Sequence, residues 1–213
     1  MRMIDEEPTD QAGRLLLVDQ FWYPDEYEYE DEEDRPAEAI IGYWPVSDDG
    51  QLGRFSANPG YRPSDEESPS DPLDAVLHLL VDGEARSAHL QVMMAGHTFD
   101  VAMNGDGRPM VLKEEDGVMS VVVTTGEPHR ERFRSPDVRR TDLAGLVDLI
   151  GEDHDVVLNP GGPSATRLAN GFVRSTAEFG ADELDAITQT FRDIDQLVMA
   201  GPDAELDQAL ATS

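Results

Sequence analysis

Runs of apolar and branched residues, separated by polar or glycine-containing turns, divide most of the chain into short predicted strands. These runs occupy residues 14–19, 37–46, 52–55, 90–94, 98–103, 109–112 and 118–124. Sequences such as Asp48-Asp49-Gly50 and Glu115-Asp116-Gly117 lie between them and are typical of hairpin turns. The pattern therefore predicts an antiparallel meander.

Three further segments carry apolar residues at the spacing of an α-helix. In the first, Asp71 is the predicted N-cap, Pro72 takes the first helical position and Gly83 closes the helix. The other two predicted helices cover residues 141–150 and 182–199. A buried-type strand at 155–158, a turn at 159–163 and a partner strand at 165–168 are predicted between them.

Together these elements predict an α+β fold, in which two or three helices pack on one face of a single antiparallel, meander-type sheet. One domain is expected over residues 14–200, with a mobile tail at 1–13 and a C-terminal tail at 201–213. Eight of the eleven residues from 24 to 34 are acidic and none is aliphatic, so this segment is expected to be an exposed insertion.

The net charge of −29, from 45 acidic and 16 basic residues, restricts the partners of the chain. So large an excess repels phosphate backbones and anionic lipid headgroups, so neither nucleic acid nor membrane is expected as a partner. The chain has no cysteine, which excludes disulfides and thiolate metal sites. Its acidic start lacks the basic and apolar regions of a signal peptide, and a cytoplasmic location is expected.

Two blocks of the sequence resemble a known family. The first consists of GYWPVSDDGQLGRFSANPGYRPS at 42–64 and DPLDAVLHLL at 71–80, and the second of residues 103–126 followed by DLAGLVDLIGEDHDVVLNPGG at 142–162. In their order, these blocks resemble the actinobacterial type VII secretion system-associated proteins, whose C-terminal part is similar to the SseB (enhanced serine sensitivity) domain. The resemblance implies an SseB-like fold and a cytoplasmic accessory or binding role, and it supplies no catalytic residues.

An aromatic and acidic segment is the first candidate for partner binding. Trp22, Tyr23, Tyr27 and Tyr29 alternate there with the acidic residues Asp25, Glu26 and Glu28. Acidic residues steer encounter with a basic surface, and Tyr and Trp rings supply contact area. The alternative interpretation is a solvated loop with some rings packed on the core.

A basic cluster is the second candidate, because five of the fifteen arginines lie between residues 129 and 140. This cluster could bind an anion or an acidic partner, and Arg134 and Arg139 are its candidate binding residues. In the alternative interpretation, the cluster neutralises acidic residues of the same chain through ion pairs.

Catalytic and cofactor-binding patterns are not found. The five histidines lie in separate predicted elements, and Asp153-His154-Asp155 is interpreted as the polar approach to a buried strand rather than a metal site. Pro160 and Pro163 remove amide donors that a phosphate-binding loop needs, so Gly161-Gly162 is interpreted as a turn. No enzymatic activity, catalytic residue, cofactor or metal is predicted.

The expected function is that of a non-enzymatic, acidic, protein-binding accessory, adaptor or chaperone-like, associated with type VII secretion. Its expected partner is a secretion component or substrate, which could be a basic protein, and the sequence does not predict the oligomeric state. The alternative is an immunity or inhibitor protein that caps a basic toxin or nuclease by acidic mimicry. Adaptation to a high-salt cytoplasm could also explain the acidity, which would then have no role in binding a partner.

Overall fold

Two β-sheets form the frame of the molecule in the computed structural model, which describes residues 11–22, 36–201 and 210. The described strands are β1 (Gln11–Val18), β2 (Ile40–Ser47), β3 (Ser56–Ala57), β4 (Phe99–Met103), β5 (Val111–Lys113), β6 (Met119–Thr124), β7 (Asp137–Thr141), β8 (Asp155–Leu158), β9 (Thr166–Leu168) and β10 (Val198–Ala200). The first sheet has the order β10-β1-β2-β3 and is antiparallel throughout.

The second sheet has the order β7-β4-β6-β8-β9, with β5 also paired to β6. Most pairs are antiparallel, but β6 and β8 are parallel, with Val121 opposite Val156. Strand β6 pairs with β4, β5 and β8, and it is buried from Ser120 to Thr124. This explains the three consecutive valines at 121–123, since an interior strand covered on both faces has no solvent-facing positions.

Six α-helices occur in the described residues. They are α1 (Pro72–Val81), α2 (Ser87–Ala95), α3 (Glu127–Arg132), α4 (Leu143–Ile150), α5 (Asn170–Ala177) and α6 (Ala181–Thr188). Helix α1 begins as predicted: the Asp71 carboxylate accepts from the backbone N–H groups of Leu73 and Asp74, and Pro72 follows the cap. Helix α4 is capped in the same way by Asp142.

One apolar core joins the two sheets. It includes Trp44 of the first sheet, Phe99 of the second, and Leu77 and Leu90 of α1 and α2, all fully buried. Helix α1 packs against α2 and contacts β2, while α2 also contacts α5 and α6. Helix α1 therefore links the first sheet to α2, and α2 continues the packing to α5 and α6.

The structure confirms a mixed α and β fold with mostly antiparallel sheets, but the prediction of a single sheet with two or three helices is wrong. Residues 90–94, predicted as a strand, belong to helix α2. Four of its five residues are apolar, and so short a run does not separate a buried helix from a buried strand by periodicity.

The predicted helix over residues 182–199 is also wrong. Helix α6 ends at Thr188, a 3₁₀ turn follows at Gln189–Asp193, and Val198–Ala200 forms β10 against β1. Three apolar residues of the predicted helix, Phe191, Ile194 and Leu197, are buried nonetheless and enter the core from the irregular segment. Tertiary packing overrides the helical spacing here.

Candidate functional site

The predicted aromatic and acidic partner site falls mostly outside the described residues. This holds for Tyr23, Asp25, Glu26, Tyr27, Glu28 and Tyr29. Trp22 is described and is half-buried, and its indole N–H donates to the carbonyl oxygen of Arg62 at 3.2 Å. The role of the segment in partner binding stays a prediction.

The basic cluster divides into arginines that bind an internal acid and arginines that face solvent. Arg130 and Arg140 both bind Asp100, which is 3% exposed: Arg140 donates through Nε at 2.9 Å and Nη2 at 3.1 Å, and Arg130 through Nη1 at 3.0 Å. Burial alone would raise the pKa of Asp100, but the hydrogen bonds and charges of Arg140 and Arg130 hold it below its ordinary value. For these two arginines the structure agrees with the neutralising interpretation.

Arg134 and Arg139 are different. Both side chains are exposed, and neither forms an ion pair or a side-chain hydrogen bond in the part of the chain that is described. Arg139 lies on β7, an edge strand of the second sheet. Since neither charge is used internally, these two arginines remain the candidates within the cluster for contact with a partner.

A buried polar network around Asp74 is the most polar part of the interior, and it was not predicted. The Asp74 carboxylate, on α1, accepts four hydrogen bonds: Oδ2 from the Ser70 N–H and His129 Nε2, each at 2.9 Å, and Oδ1 from Asn159 Nδ2 at 3.0 Å and Ser164 Oγ at 2.7 Å. Asp74, His129, Asn159 and Ser164 are each at most 2% exposed. We call these four side chains the Asp74 network.

The hydrogen bonds of the Asp74 network keep its carboxylate ionised. Burial by itself would raise the pKa of Asp74, but the hydrogen bond from His129, the charge of His129 and the donors Ser70 and Ser164 lower it to about 2. Because an ionised carboxylate can only accept, His129 Nε2 donates to Asp74, and the other ring nitrogen of His129, Nδ1, lies 3.4 Å from Arg132 Nη1.

The turn at residues 159–163 completes the Asp74 network. Asn159 has a φ of 51°, a conformation that asparagine tolerates better than most residues, and its side chain is turned into the interior. Its Oδ1 accepts from the Thr125 N–H at 2.9 Å while its Nδ2 donates to Asp74. A Cβ atom at Gly162 would lie 2.9 Å from the His129 ring, so only glycine fits without a shift. The predicted turn is confirmed, and its first residue has a structural role.

The geometry of the Asp74 network does not suit nucleophilic catalysis. Ser164 Oγ and His129 Nε2 both donate to the Asp74 carboxylate, whereas an activated serine donates its proton to a base that can accept it. A carboxylate with a pKa of about 2 is a poor base at neutral pH. The network instead joins α1, α3 and the turn after β8.

The one sequence signal for this network was the spacing of Asp74 and His78 on an apolar helix. These residues are four positions apart in α1, and the His78 Nε2 atom lies 4.0 Å from Asp74 Oδ2. An acid and a histidine on one buried helix face indicate a polar partner elsewhere in the core. The sequence contains nothing that identifies Asn159 or Ser164 as that partner.

An open apolar cleft lies on another side of the core, between the β3 segment and helices α2 and α6. Its volume is about 570 Å³. The apolar lining residues with substantial side chains are Trp44, Phe55, Pro72, Val92, Met93 and Leu184. We call this feature the β3–α6 cleft.

The inner wall of the β3–α6 cleft is a stack of aromatic rings. The ring of Trp44 lies 4.6 Å from that of Phe55 and 4.4 Å from that of Phe191, and His89 lies 4.6 Å from Phe191 on the far side. Trp44 is fully buried, and its indole N–H has no hydrogen-bond acceptor among the described residues. Gly42 allows the Phe55 ring to pack directly on β2, because any Cβ there would collide with that ring.

Charged residues stand on two rims of the cleft. Asp182, Glu183 and Asp185 are exposed on α6, and Asp185 lines the cleft itself. Arg54 is exposed on the opposite side, next to the β3 strand. The cleft is therefore apolar inside, with one acidic lining residue, Asp185, on α6 and one basic lining residue, Arg54, next to β3.

The sequence did not predict the β3–α6 cleft, because most of its lining comes from three distant segments, with Trp44 and Pro72 added from two others. Residues 53–57, 92–97 and 181–188 meet only through tertiary packing. Two of the three segments were also assigned elements that the structure corrects, namely a strand at 90–94 and the long helix at 182–199.

No family model matches the chain, and comparisons with curated proteins and with solved structures likewise gave no match. The resemblance to type VII secretion-associated proteins therefore stays a prediction. Within residues 11–22, 36–201 and 210, no group of three or more His, Cys, Asp or Glu side chains is placed to hold a metal ion. In the same ranges, no helix is both long and apolar enough to cross a membrane.

Proposed function

We propose that this protein is a non-enzymatic, protein-binding accessory, adaptor or chaperone-like, that works with a type VII secretion system. The observation that carries the proposal is the β3–α6 cleft, an open apolar cavity of about 570 Å³ beside a sheet edge. Apolar concavities of roughly 300–1,000 Å³ with a few polar groups are the usual form of binding sites.

The position of the cleft favours a protein segment as its occupant. Strand β3 borders the cleft and has a neighbouring strand on one side only within the described residues. A sheet edge beside an apolar groove can accept an extended chain through backbone hydrogen bonds and side-chain anchors together.

The association with secretion rests on the resemblance of the first sequence block. That block, residues 42–64 and 71–80, contributes Trp44, Gly53, Arg54, Phe55, Ala57 and Pro72 to the lining of the cleft. The part of the chain that carries the resemblance is thus also the part that forms one wall of the cleft.

An affinity pull-down from the native cytoplasm, analysed by mass spectrometry, tests the proposal. We compare the full protein with a variant lacking residues 24–34 and with the Arg134→Glu/Arg139→Glu double variant. Recovery of secretion substrates or of the secretion ATPase by the full protein supports an accessory role. Loss of recovery in either variant assigns the contact to that region, and recovery of unrelated proteins only would contradict the proposal.

The net charge of −29 favours a second candidate, an inhibitor that caps a basic toxin or nuclease. Such an inhibitor should recover one basic protein, bind it with a Kd on the order of nanomolar or below, and lose association rate steeply as salt is added. An adaptor that binds through apolar area should respond only weakly to salt. The salt dependence of the association rate therefore separates the two functions.

A further inference from the structure

We propose that the β3–α6 cleft binds an extended segment of a partner protein, in which an apolar anchor residue is flanked by a basic residue on the side facing α6. This inference rests on the proposed function and names the chemistry of the partner. It follows from the lining of the cleft, from the free edge of β3 and from the charges on the two rims.

The lining of the cleft favours an apolar anchor residue in the partner segment. Phe55, Val92 and Leu184 line it and are half-buried, so part of their apolar surface faces the cavity. Removing such apolar surface from water favours association. Trp44 and Phe55 line the cleft in edge-to-face contact, with Phe191 packed against Trp44, and a preformed pocket lowers the entropy lost on binding.

The edge of the first sheet favours an extended backbone in the partner segment. Ser56 and Ala57 are both exposed, and β3 pairs only with β2 among the described strands. The outer side of an edge strand carries backbone N–H and C=O groups without a strand partner, which a second chain can pair with. A segment added there would place alternate side chains toward the cavity.

The charged residues on the two sides of the cleft indicate the charge and the direction of the bound partner segment. Asp182, Glu183 and Asp185 are exposed on α6 without an ion pair in the described part of the molecule, and of these three only Asp185 lines the cleft. Acidic residues in the first turn suit the helix dipole, but Asp185 lies beyond that turn and lines the cleft. A basic residue of the partner therefore fits the α6 side, and an acidic residue or terminal carboxylate fits the Arg54 side.

A cavity-filling variant tests the proposal without disturbing the core. Gly96 lines the cleft, is exposed, has a φ of −103° and would meet no atom within 4 Å with an added Cβ. Gly96→Phe should therefore fold normally while its ring occupies the cavity. Gly171→Phe is the matched control, because Gly171 is also exposed, also has open space around its Cβ, and is not part of the cleft lining.

The probe is a library of random short peptides displayed on phage and selected on the full-length protein. We expect a consensus with an apolar anchor beside Lys or Arg, and about tenfold or greater loss of affinity for the synthetic consensus peptide in Gly96→Phe. Gly171→Phe should bind as the wild type does. Asp185→Lys should slow association, and a peptide with Glu in place of its basic residue should restore it.

Selection of no consensus, of one without an apolar anchor, or of one that binds Gly96→Phe as well as wild type would overturn the inference. The pull-down separates this failure from failure of the proposed function. If secretion proteins are recovered equally by wild type and Gly96→Phe, the accessory role survives and the cleft is not its site. If neither protein recovers them, the accessory role itself fails.

Discussion

The Asp74 network and the β3–α6 cleft are both assembled from distant segments, but they use their chemical groups in opposite ways. In the network, each carboxylate oxygen of Asp74 accepts two hydrogen bonds from within the protein, and the side chains are almost completely buried. In the cleft, apolar walls and charged rims remain open to solvent. The Asp74 network contains the residue types of an active site, but they bond to one another. The β3–α6 cleft has the solvent-exposed apolar and charged surface that binding requires.

The difference shows that the role of a polar cluster depends more on the hydrogen-bond partners of its side chains than on its residue types. A serine, a histidine and an aspartate occur together in the Asp74 network, but all the donors converge on one carboxylate. Fully satisfied buried networks of this kind rigidify a core. Substitutions that remove hydrogen bonds of the Asp74 network should therefore lower the stability of the fold, whereas substitutions in the β3–α6 cleft should alter binding of a partner.

Removing the carboxylate of Asp74 should have the largest effect. We expect Asp74→Ala to lower the free energy of unfolding by about 4 kcal/mol, because His129, Asn159 and Ser164 would keep buried donors without an acceptor. Urea unfolding followed by circular dichroism measures this. Asp148→Ala, on the exposed side of α4, is the control and should change stability by less than about 0.5 kcal/mol. A similar small change for Asp74→Ala would remove the structural role assigned to the network.

The two classes of arginine in the basic cluster provide the next test. Arg130→Ala/Arg140→Ala should cost about 2 kcal/mol, because Asp100 would stay buried without its cations. Arg134→Ala/Arg139→Ala should leave stability within about 0.5 kcal/mol of wild type. Thermal and urea unfolding of both double variants give the comparison, and equal losses would contradict the division of the cluster.

Acid should weaken the Asp74 network. The pKa of Asp74 in the folded protein, about 2, lies below its ordinary value of 3.8, so the unfolded chain takes up a proton at higher pH than the folded one. The stability that this carboxylate contributes is present above pH 3.8 and is lost as the pH falls toward 2, on the order of 2 kcal/mol. Urea unfolding of wild type and Asp74→Asn across this range should show a steeper loss in wild type; parallel curves would exclude Asp74 as the cause.

Filling the cleft should have the smallest effect on stability. Gly96→Phe and Gly171→Phe should each unfold within about 0.5 kcal/mol of wild type, since both positions are exposed and open. Differential scanning calorimetry at neutral pH provides the measurement. A large loss in Gly96→Phe alone would mean that the cleft wall belongs to the core, and a less bulky variant, Gly96→Leu, would then be used for the binding test.

Local signals in the sequence predicted many elements correctly. The Asp71 and Pro72 pair marked the start of α1, the Asn159 to Pro163 turn was recognised, and β4, β5, β6 and β8 lie where branched runs predicted them. Caps, turns and strand runs depend on neighbouring residues, so a single sequence contains them. Strand β7 was not predicted, because Arg139 and Arg140 make its five residues look like a charged loop.

The amino-acid sequence by itself determined the strong acidity, most strands, the start of α1 and the turn after β8. Only the tertiary structure decided that the strands form two sheets, that residues 189–200 leave the helix for a 3₁₀ turn and β10, and that Asp74 meets Asn159 and Ser164. The physical reason is that hydrogen bonds within a turn or cap join near neighbours, whereas the network and the cleft join segments whose approach depends on how the whole core packs.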